Sequence, residues 1–329
     1  MIESETRIIP RVIVGARSHF ANRMPEYGVG IVILDFNRAE LLEHCIPPLL
    51  DRGDACVFVV ENGEPGLLSA RLDKSVLDRI VIIEMGQNVG FSRGMNAGVR
   101  TIFSKRQVPV LLLNNDVEIN WEAVVELRQI IDSDPSIGVA VPNQHPGPRF
   151  GPTAHKKGKS IGRGSYSDAS RPPREIDRAT GFCLMIRPET FLEMGLLDED
   201  FIFGKEDDEF FFRMRSSRFR VIEAPAILVR HSPSTSTDFG SLESIKFLVY
   251  SSSYGRVMLA RKTSRNVGLT LIGSLIDGVK VALKAYSVSR EWFFGDCLLG
   301  SFNGFQDGRH ARLHAFARLD PPPTLGLED

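Results

Sequence analysis

The sequence predicts an α/β fold, with a mostly parallel central sheet followed by a helical C-terminal region, and three observations predict it. First, residues 29–34, 56–60, 80–84 and 108–113 are short runs dominated by Val, Ile and Leu. Runs without polar alternation read as strands buried on both faces, as in parallel sheets. Second, helical patterns at 39–50 and 121–132 interleave with these runs, which indicates βαβ units. Third, three runs end in polar clusters: Asp35-Phe36-Asn37-Arg38, Glu61-Asn62-Gly63 and Asn114-Asn115-Asp116. Open α/β sheets bind ligands at strand carboxyl ends, and an acidic side chain there is well sited to hold a cation. Turn chemistry closing a strand would use the same residues, so this spacing alone leaves both readings open.

Composition narrows the class. A chain of 329 residues allows one large or two modest domains with a substantial core. The net charge of −1 gives no global field directed at nucleic acid. Cys45, Cys56, Cys183 and Cys297 lie far apart without a Cys-x-x-Cys pair. They suit buried thiols in a reducing compartment better than a disulfide framework or zinc site. Arg7, Arg11, Arg17 and Arg23 break up the N-terminal apolar runs, so no signal-peptide core is expected. No run is long enough for a transmembrane helix. The expected location is cytoplasmic.

Along the chain, residues 1–27 read as an extension containing one strand at 11–14. The helix beginning at Ala39 is stopped by Pro47 and Pro48. In the run from Asn88 to Gly98, Gly90, Gly94 and Gly98 are spaced four apart. On a helix they would share one face, open to a second backbone or a ligand. The run is neither GxGxxG nor a Walker A loop, and close helix packing explains its glycines as well as ligand binding does. Arg93 and Asn96 add a cation and an amide. After a strand at 137–141, residues 143–176 are rich in Gly, Pro, Ser and basic side chains. They read as a long loop, either a lid over an anionic ligand or a solvated excursion.

Residues 180–187 read as another strand, and Pro188 opens a short helix. Glu206, Asp207, Asp208 and Glu209 then start a helix. The macrodipole favours acids there, so capping is one explanation. However, four adjacent carboxylates repel one another, and Phe210, Phe211 and Phe212 draw the helix into the core. Charge crowded beside a buried face suits a general base. Strands at 219–223 and 226–229 follow, the second ending at Arg230-His231, where a usually structural His stands in a ligand-binding position. From 241 onward the pattern is helical, at 242–262, 267–286 and 291–305. These segments are amphipathic, fitted to cover the core, form a homo-oligomer interface or lie on a membrane. The tail reads as disordered. The domain reading is therefore 1–27 extension, 28–235 catalytic domain, 236–315 helical region and 316–329 tail.

In this order the motifs resemble the family 2 glycosyltransferases, nucleotide-sugar enzymes of GT-A fold, and within them the rhamnosyltransferase-like branch. The resemblance spans residues 28–235 and rests on the series rather than on one motif. Phe36-Asn37-Arg38 matches the end of the family's first strand, and Glu61-Asn62-Gly63 an Asp-Asn-Gly. Asn88, Gly90, Phe91, Gly94, Asn96 and Gly98 match its Asn-x-Gly-Phe-x-x-Gly-x-Asn-x-Gly run. Asn114-Asn115-Asp116 matches its DXD-type metal motif. Gly181 through Arg187 match the acceptor-side segment, Glu206-Asp207-Asp208-Glu209 with Arg213 the acidic helix, and His231 the closing histidine. Three departures stand out: Glu61 for the usual Asp, Glu209 for the last Asp, and Lys205 where an aromatic is common. They bear on acceptor preference.

The resemblance implies an inverting, metal-dependent transfer of rhamnose or a hexose. The donor would be dTDP-rhamnose or a UDP-hexose, and the acceptor a glycan or lipid-linked hydroxyl. Asp116 and His231 would hold Mn2+ or Mg2+, and Asp207 would be the base, with Glu206 in reserve. Asp35, Asn37, Glu61, Asn88, Arg93, Asn96, Asn114 and Asn115 would contact the donor nucleotide. Gly181, Asp208 and Arg213 would lie on the acceptor side. The implied setting is polysaccharide biosynthesis for the cell envelope, in the cytoplasm or at the inner membrane face. Two alternatives are a nucleotidyltransferase, which lacks its expected Gly-rich basic loop after the first strand, and a non-catalytic carbohydrate- or partner-binding relative.

Overall fold

The computed structural model describes residues 10–16, 28–50, 55–146, 171–231, 242–263, 266, 268–273, 276 and 294–310. Most of the N-terminal extension, the greater part of the 143–176 loop, most of the expected 267–286 helix and the tail lie outside the described residues. The core is one ten-stranded mixed sheet among the described residues. Strands β1 (Arg11–Val14), β2 (Val29–Asp35), β3 (Ala55–Glu61), β4 (Val81–Glu84) and β5 (Val110–Asn114) form one half. In this half β4, β3, β2 and β5 run parallel in that spatial order, and β1 closes the edge antiparallel to β4.

Alternate residues of the central strands enter two different cores. Ile31, Ile33, Leu111 and Leu113 face one, while Val32, Phe58, Val110 and Leu112 face the other. This double burial is why the strands read as continuous apolar runs. The helix expected over 39–50 is divided at Pro47, into α1 (Ala39–Cys45) and α2 (Pro47–Leu50). Next come α3 (Leu67–Arg71), α4 (Lys74–Leu77) and α5 (Phe91–Lys105). Gly94 and Gly98 lie in α5, where added Cβ atoms would approach the Leu34 and Val32 side chains to 2.4 and 2.3 Å. The glycines thus serve close packing of α5 on β2. Gly90 stands before the helix at φ 87, and its amide neighbour Phe91 donates to the Ile202 carbonyl at 2.8 Å.

The second half contains β6 (Val117–Glu118), α6 (Trp121–Ser133), β7 (Ile137–Pro146), β8 (Arg174–Ile176), β9 (Cys183–Ile186), α7 (Pro188–Met194), α8 (Glu206–Met214) and β10 (Arg220–His231). Strand β9 joins the halves, antiparallel to both β5 and β7. The two final strands expected from sequence are one, β10, whose register with β7 shifts between Ala224 and Leu228. Pro225 lies inside that shift; it has no N–H for the ladder, so pairing breaks and resumes. The end of β10 pairs antiparallel with β6, setting His231 opposite Val117. Helices α9 (Leu242–Lys262) and α10 (Phe294–His310) follow. Added Cβ atoms at Gly300 and Gly304 of α10 would reach the Tyr250 and Tyr254 carbonyl oxygens of α9 to 2.4 and 2.5 Å, so the two helices are in backbone contact. Among the described residues no helix is long and apolar enough to cross a membrane.

Candidate active site

Parallel register aligns the polar strand ends into one edge. Asp35 pairs with Glu61, Glu61 with Glu84, and Leu34 with Asn114. The buried Asp35 accepts from Asn115 Nδ2 at 2.8 Å and from the Arg38 amide at 3.2 Å. Burial raises its carboxyl above the ordinary range, and the Asn115 bond opposes that rise. Asn37 sits at φ 54 and accepts from the Glu64 amide at 2.9 Å. A Cβ at Gly63 would come within 2.1 Å of Asn37 Oδ1, so a larger residue there would push that side chain off the Glu64 amide.

Several residues expected to contact donor are committed elsewhere. Glu61 accepts from the Gly66 and Leu68 amides at 2.8 and 2.6 Å. Its carboxylate therefore caps α3, a task open to it because those amides have no partner within the helix. Asn96 donates to the Leu197 carbonyl and Glu199 and accepts from the Leu197 amide, at 2.8, 2.9 and 3.1 Å. It ties α5 to the 197–199 segment. Asn88 accepts from Asn62 Nδ2 at 3.1 Å and from the Gly90 amide at 3.0 Å, which shapes the loop before α5. Arg93 is 46% exposed and 4.0 Å from Glu199.

Asn62, not expected from the sequence, ties the end of β3 to the loop before α5. Besides its bond to Asn88, it donates to the Gly90 carbonyl at 3.3 Å and accepts from the Val89 amide at 2.8 Å. The signal was its place between Glu61 and Gly63: a polar side chain at the end of a buried strand needs partners.

The other expected residues converge on residues 181 and 182. The Asn114 amide donates to the Phe182 carbonyl at 2.9 Å. The Phe182 ring stacks on His231, centroids 4.8 Å apart, and His231 Nε2 lies 3.3 Å from Asp116 Oδ1. The Gly181 amide donates to Asp207 Oδ2 at 3.2 Å. Metal-motif acid, histidine and acidic helix thus surround one short segment. No group of three or more His, Cys, Asp or Glu side chains is placed to hold a metal among the described residues. Asp116 and His231 offer an oxygen–nitrogen pair, and Asn114 Oδ1 is buried without a hydrogen-bond partner. This donor set fits a divalent cation whose remaining ligands come from phosphate and water.

The acidic helix is under electrostatic stress. Glu206 is buried, its Oε2 lacks a hydrogen-bond partner, and burial together with Asp207 pushes its pKa up to about 8. Asp207 is also raised, by burial and then by Asp208, while amide donors at Asp208 and Gly181 oppose the rise. The remaining acids are paired. Asp208 meets Lys205 at 2.8 Å and Arg178 at 3.3 Å. Glu209 accepts twice from Arg213 Nε, at 2.7 and 2.9 Å. Arg213 also donates to the Met194 and Leu196 carbonyls at 2.6 and 2.8 Å. It clamps the preceding segment, with its fork spent on Glu209 and two carbonyls.

Residues 30–191 match the sequence model of the family described as Glycosyl transferase family 2. The chain carries a family 2 glycosyltransferase domain over these residues. It is 27% identical over 296 residues to the low-salt glycan biosynthesis hexosyltransferase Agl10 of Haloferax volcanii. That match covers 85% of this glycosyltransferase and 91% of the relative. In fold it is similar to the mannosyltransferase PcManGT of Pyrobaculum calidifontis, solved with GDP-Man and Mn2+. That likeness has a TM-score of 0.51 at 11% identity and covers 93% of this chain and 92% of that one. It supports a GT-A architecture for the glycosyltransferase.

Proposed function

We propose that this glycosyltransferase moves a hexosyl group from a nucleoside-diphosphate sugar to a hydroxyl of a glycan or lipid-linked acceptor, with inversion at the anomeric carbon. The reading is carried by the convergence of Asp116, His231 and Asp207 on residues 181 and 182. Asp35, Asn114 and Asn115 would line the donor nucleotide and Gly181 the acceptor. The domain reading of 28–235 as catalytic unit and 236–315 as helical region belongs to the same proposal.

A divalent cation held by Asp116 and His231 would neutralise charge growing on the departing diphosphate. The mixed donor set suits Mn2+ better than Mg2+. Asp207 takes the proton of the attacking hydroxyl at Oδ2, as the new C1–O bond forms and the bond to phosphate breaks on the opposite face. Its two amide donors hold the carboxylate aimed. Glu206 keeps its own proton near neutral pH, because a second charge beside Asp207 in a buried site is costly. It is thus a poor second base. Turnover should fall on the acid side as Asp207 protonates, and on the alkaline side as Glu206 ionises near pH 8.

The test is release of nucleoside diphosphate from UDP-glucose, GDP-mannose and dTDP-rhamnose, with and without Mn2+. Metal-dependent release from one of them, abolished in Asp207→Asn while nucleotide binding persists, supports the proposal. No release from any donor, with glycan binding retained, would make the protein a binding module.

A further inference from the structure

Helix α9 packs on the segment that leads into the acidic helix. Lys262 is 6% exposed and donates to Asp198 and Asp200, both at 2.5 Å. Its ammonium also lies 5.5 Å from the Phe201 ring centroid. Phe201 packs with Tyr254, Met258 and Leu259 of the same helix. Gly255 faces the next turn of chain: a Cβ there would stand 2.7 Å from the Gly204 carbonyl oxygen and 3.2 Å from Lys205 Cγ.

Those two residues are conformationally unusual. Gly204 and Lys205 lie at φ 77 and 81, and Glu206 follows directly. A non-glycine residue holds a left-handed conformation only where its surroundings over-determine it. From the core side, Asn96 and Arg213 anchor residues 196 and 197. Within 198–205, α5 holds Glu199 through Asn96 and Arg100, and Ile202 through the Phe91 amide. Helix α9 holds Asp198, Asp200, Phe201, Gly204 and Lys205 through Lys262, Gly255 and the Phe201 cluster, joined at the surface by a Phe203–Phe247 ring contact at 5.9 Å.

We propose that α9 is a positioning element for the proton-accepting carboxyl. Through Gly255 and Lys262 it holds residues 198–205 in the conformation that buries Glu206 and sets Asp207 against Gly181. If this hold loosens, Glu206 meets water and ionises, and Asp207 acquires a charged neighbour as well as a misplaced carboxylate. The inference rests on Asp207 as the base, so its test includes readouts independent of that role.

The experiment compares the full-length protein with Gly255→Ala and Lys262→Arg. Gly295→Ala is the control, since a Cβ there meets nothing within 4 Å. Amide exchange in peptide 201–210 should quicken about tenfold in both variants, with 29–35 unchanged. The Glu206 carboxyl, followed by carbon-13 titration, should move down toward the ordinary range. Turnover of the accepted donor should fall about tenfold or more at a donor KM within about twofold, as misplacement of a reacting group predicts. Unchanged exchange and unchanged Glu206 titration in both variants would overturn the proposal. So would altered exchange with full turnover. If Gly255→Ala does not fold, Lys262→Arg, which keeps the charge but not the fit between two aspartates, carries the same comparison. Activity remaining in Asp207→Asn would sink the base assignment, while exchange and titration would still decide whether α9 holds the segment.

Discussion

The strand-end edge and the acidic helix are both crowded with polar side chains, yet they are built on opposite terms. At the strand ends the scaffold groups have partners, since Asn62 spans the 88–90 loop, Glu61 caps α3 and Asn115 meets Asp35, and the stranded atom there is Asn114 Oδ1, beside the proposed cation site. At the start of α8, Glu206 is buried with an unpartnered oxygen, and Asp207 is forced upward beside it. A satisfied buried polar residue is scaffold, and its loss costs stability. A buried acid held at an unfavourable charge is a reagent, and its loss costs turnover while often relieving the fold. Side chains that look alike in the motif series therefore divide into two functional kinds.

The strongest challenge to this division is Asp207→Asn. It should lower turnover by about 10²- to 10⁴-fold, the range for a positioned base, with no loss of melting temperature. A comparable drop in melting temperature would put Asp207 among the scaffold residues. Next, Asp116→Asn should weaken Mn2+-dependent nucleotide binding by about tenfold or more, read by calorimetry. Equal affinity with and without metal would remove it from the proposed cation site.

The pH dependence of stability sharpens the contrast. Glu206 is raised to about 8 in the fold from an unfolded value of 4.5, so over that window the unfolded chain binds fewer protons. Stability must then fall as pH rises from about 4.5 to 8, with a limiting slope of about 1.4 kcal/mol per unit, and level off above it. Urea unfolding of Glu206→Gln should lack that slope. If both proteins respond alike, Glu206 is not the titrating group. On the scaffold side, Asn96→Ala should cost about 1–3 kcal/mol by stranding the groups of Leu197, with donor KM unchanged. The smallest effect belongs to Glu61→Gln, where loss of the cap should cost about 1 kcal/mol in unfolding and leave nucleotide affinity intact.

Much of the fold was legible in the residues. Buried parallel strands need apolar side chains on both faces, so 29–34 and 108–113 could hardly be anything else. Helix α9 spans the residues expected for it, 242–262. The break at Pro47 and the merging of two strands across Pro225 were less legible, because a proline's effect depends on what the neighbouring strand or helix can tolerate. The candidate site divided the same way. Asn114-Asn115-Asp116 and the acidic run stood out in the sequence, whereas the bonds by which Asn96 and Arg213 tie down the 194–199 segment were not readable from it.

The sequence by itself determined the α/β class, the polar strand ends and the existence of a charged helix with a buried face. These are local consequences of periodicity and side-chain chemistry. Only the tertiary structure decided which acids stand together. Antiparallel pairing of β6 with β10 carries His231 to Asp116, and the turn before β9 sets Gly181 against Asp207. It also decided which polar groups are satisfied and which are stranded, since desolvation depends on everything packed around a group and not on its neighbours in the chain.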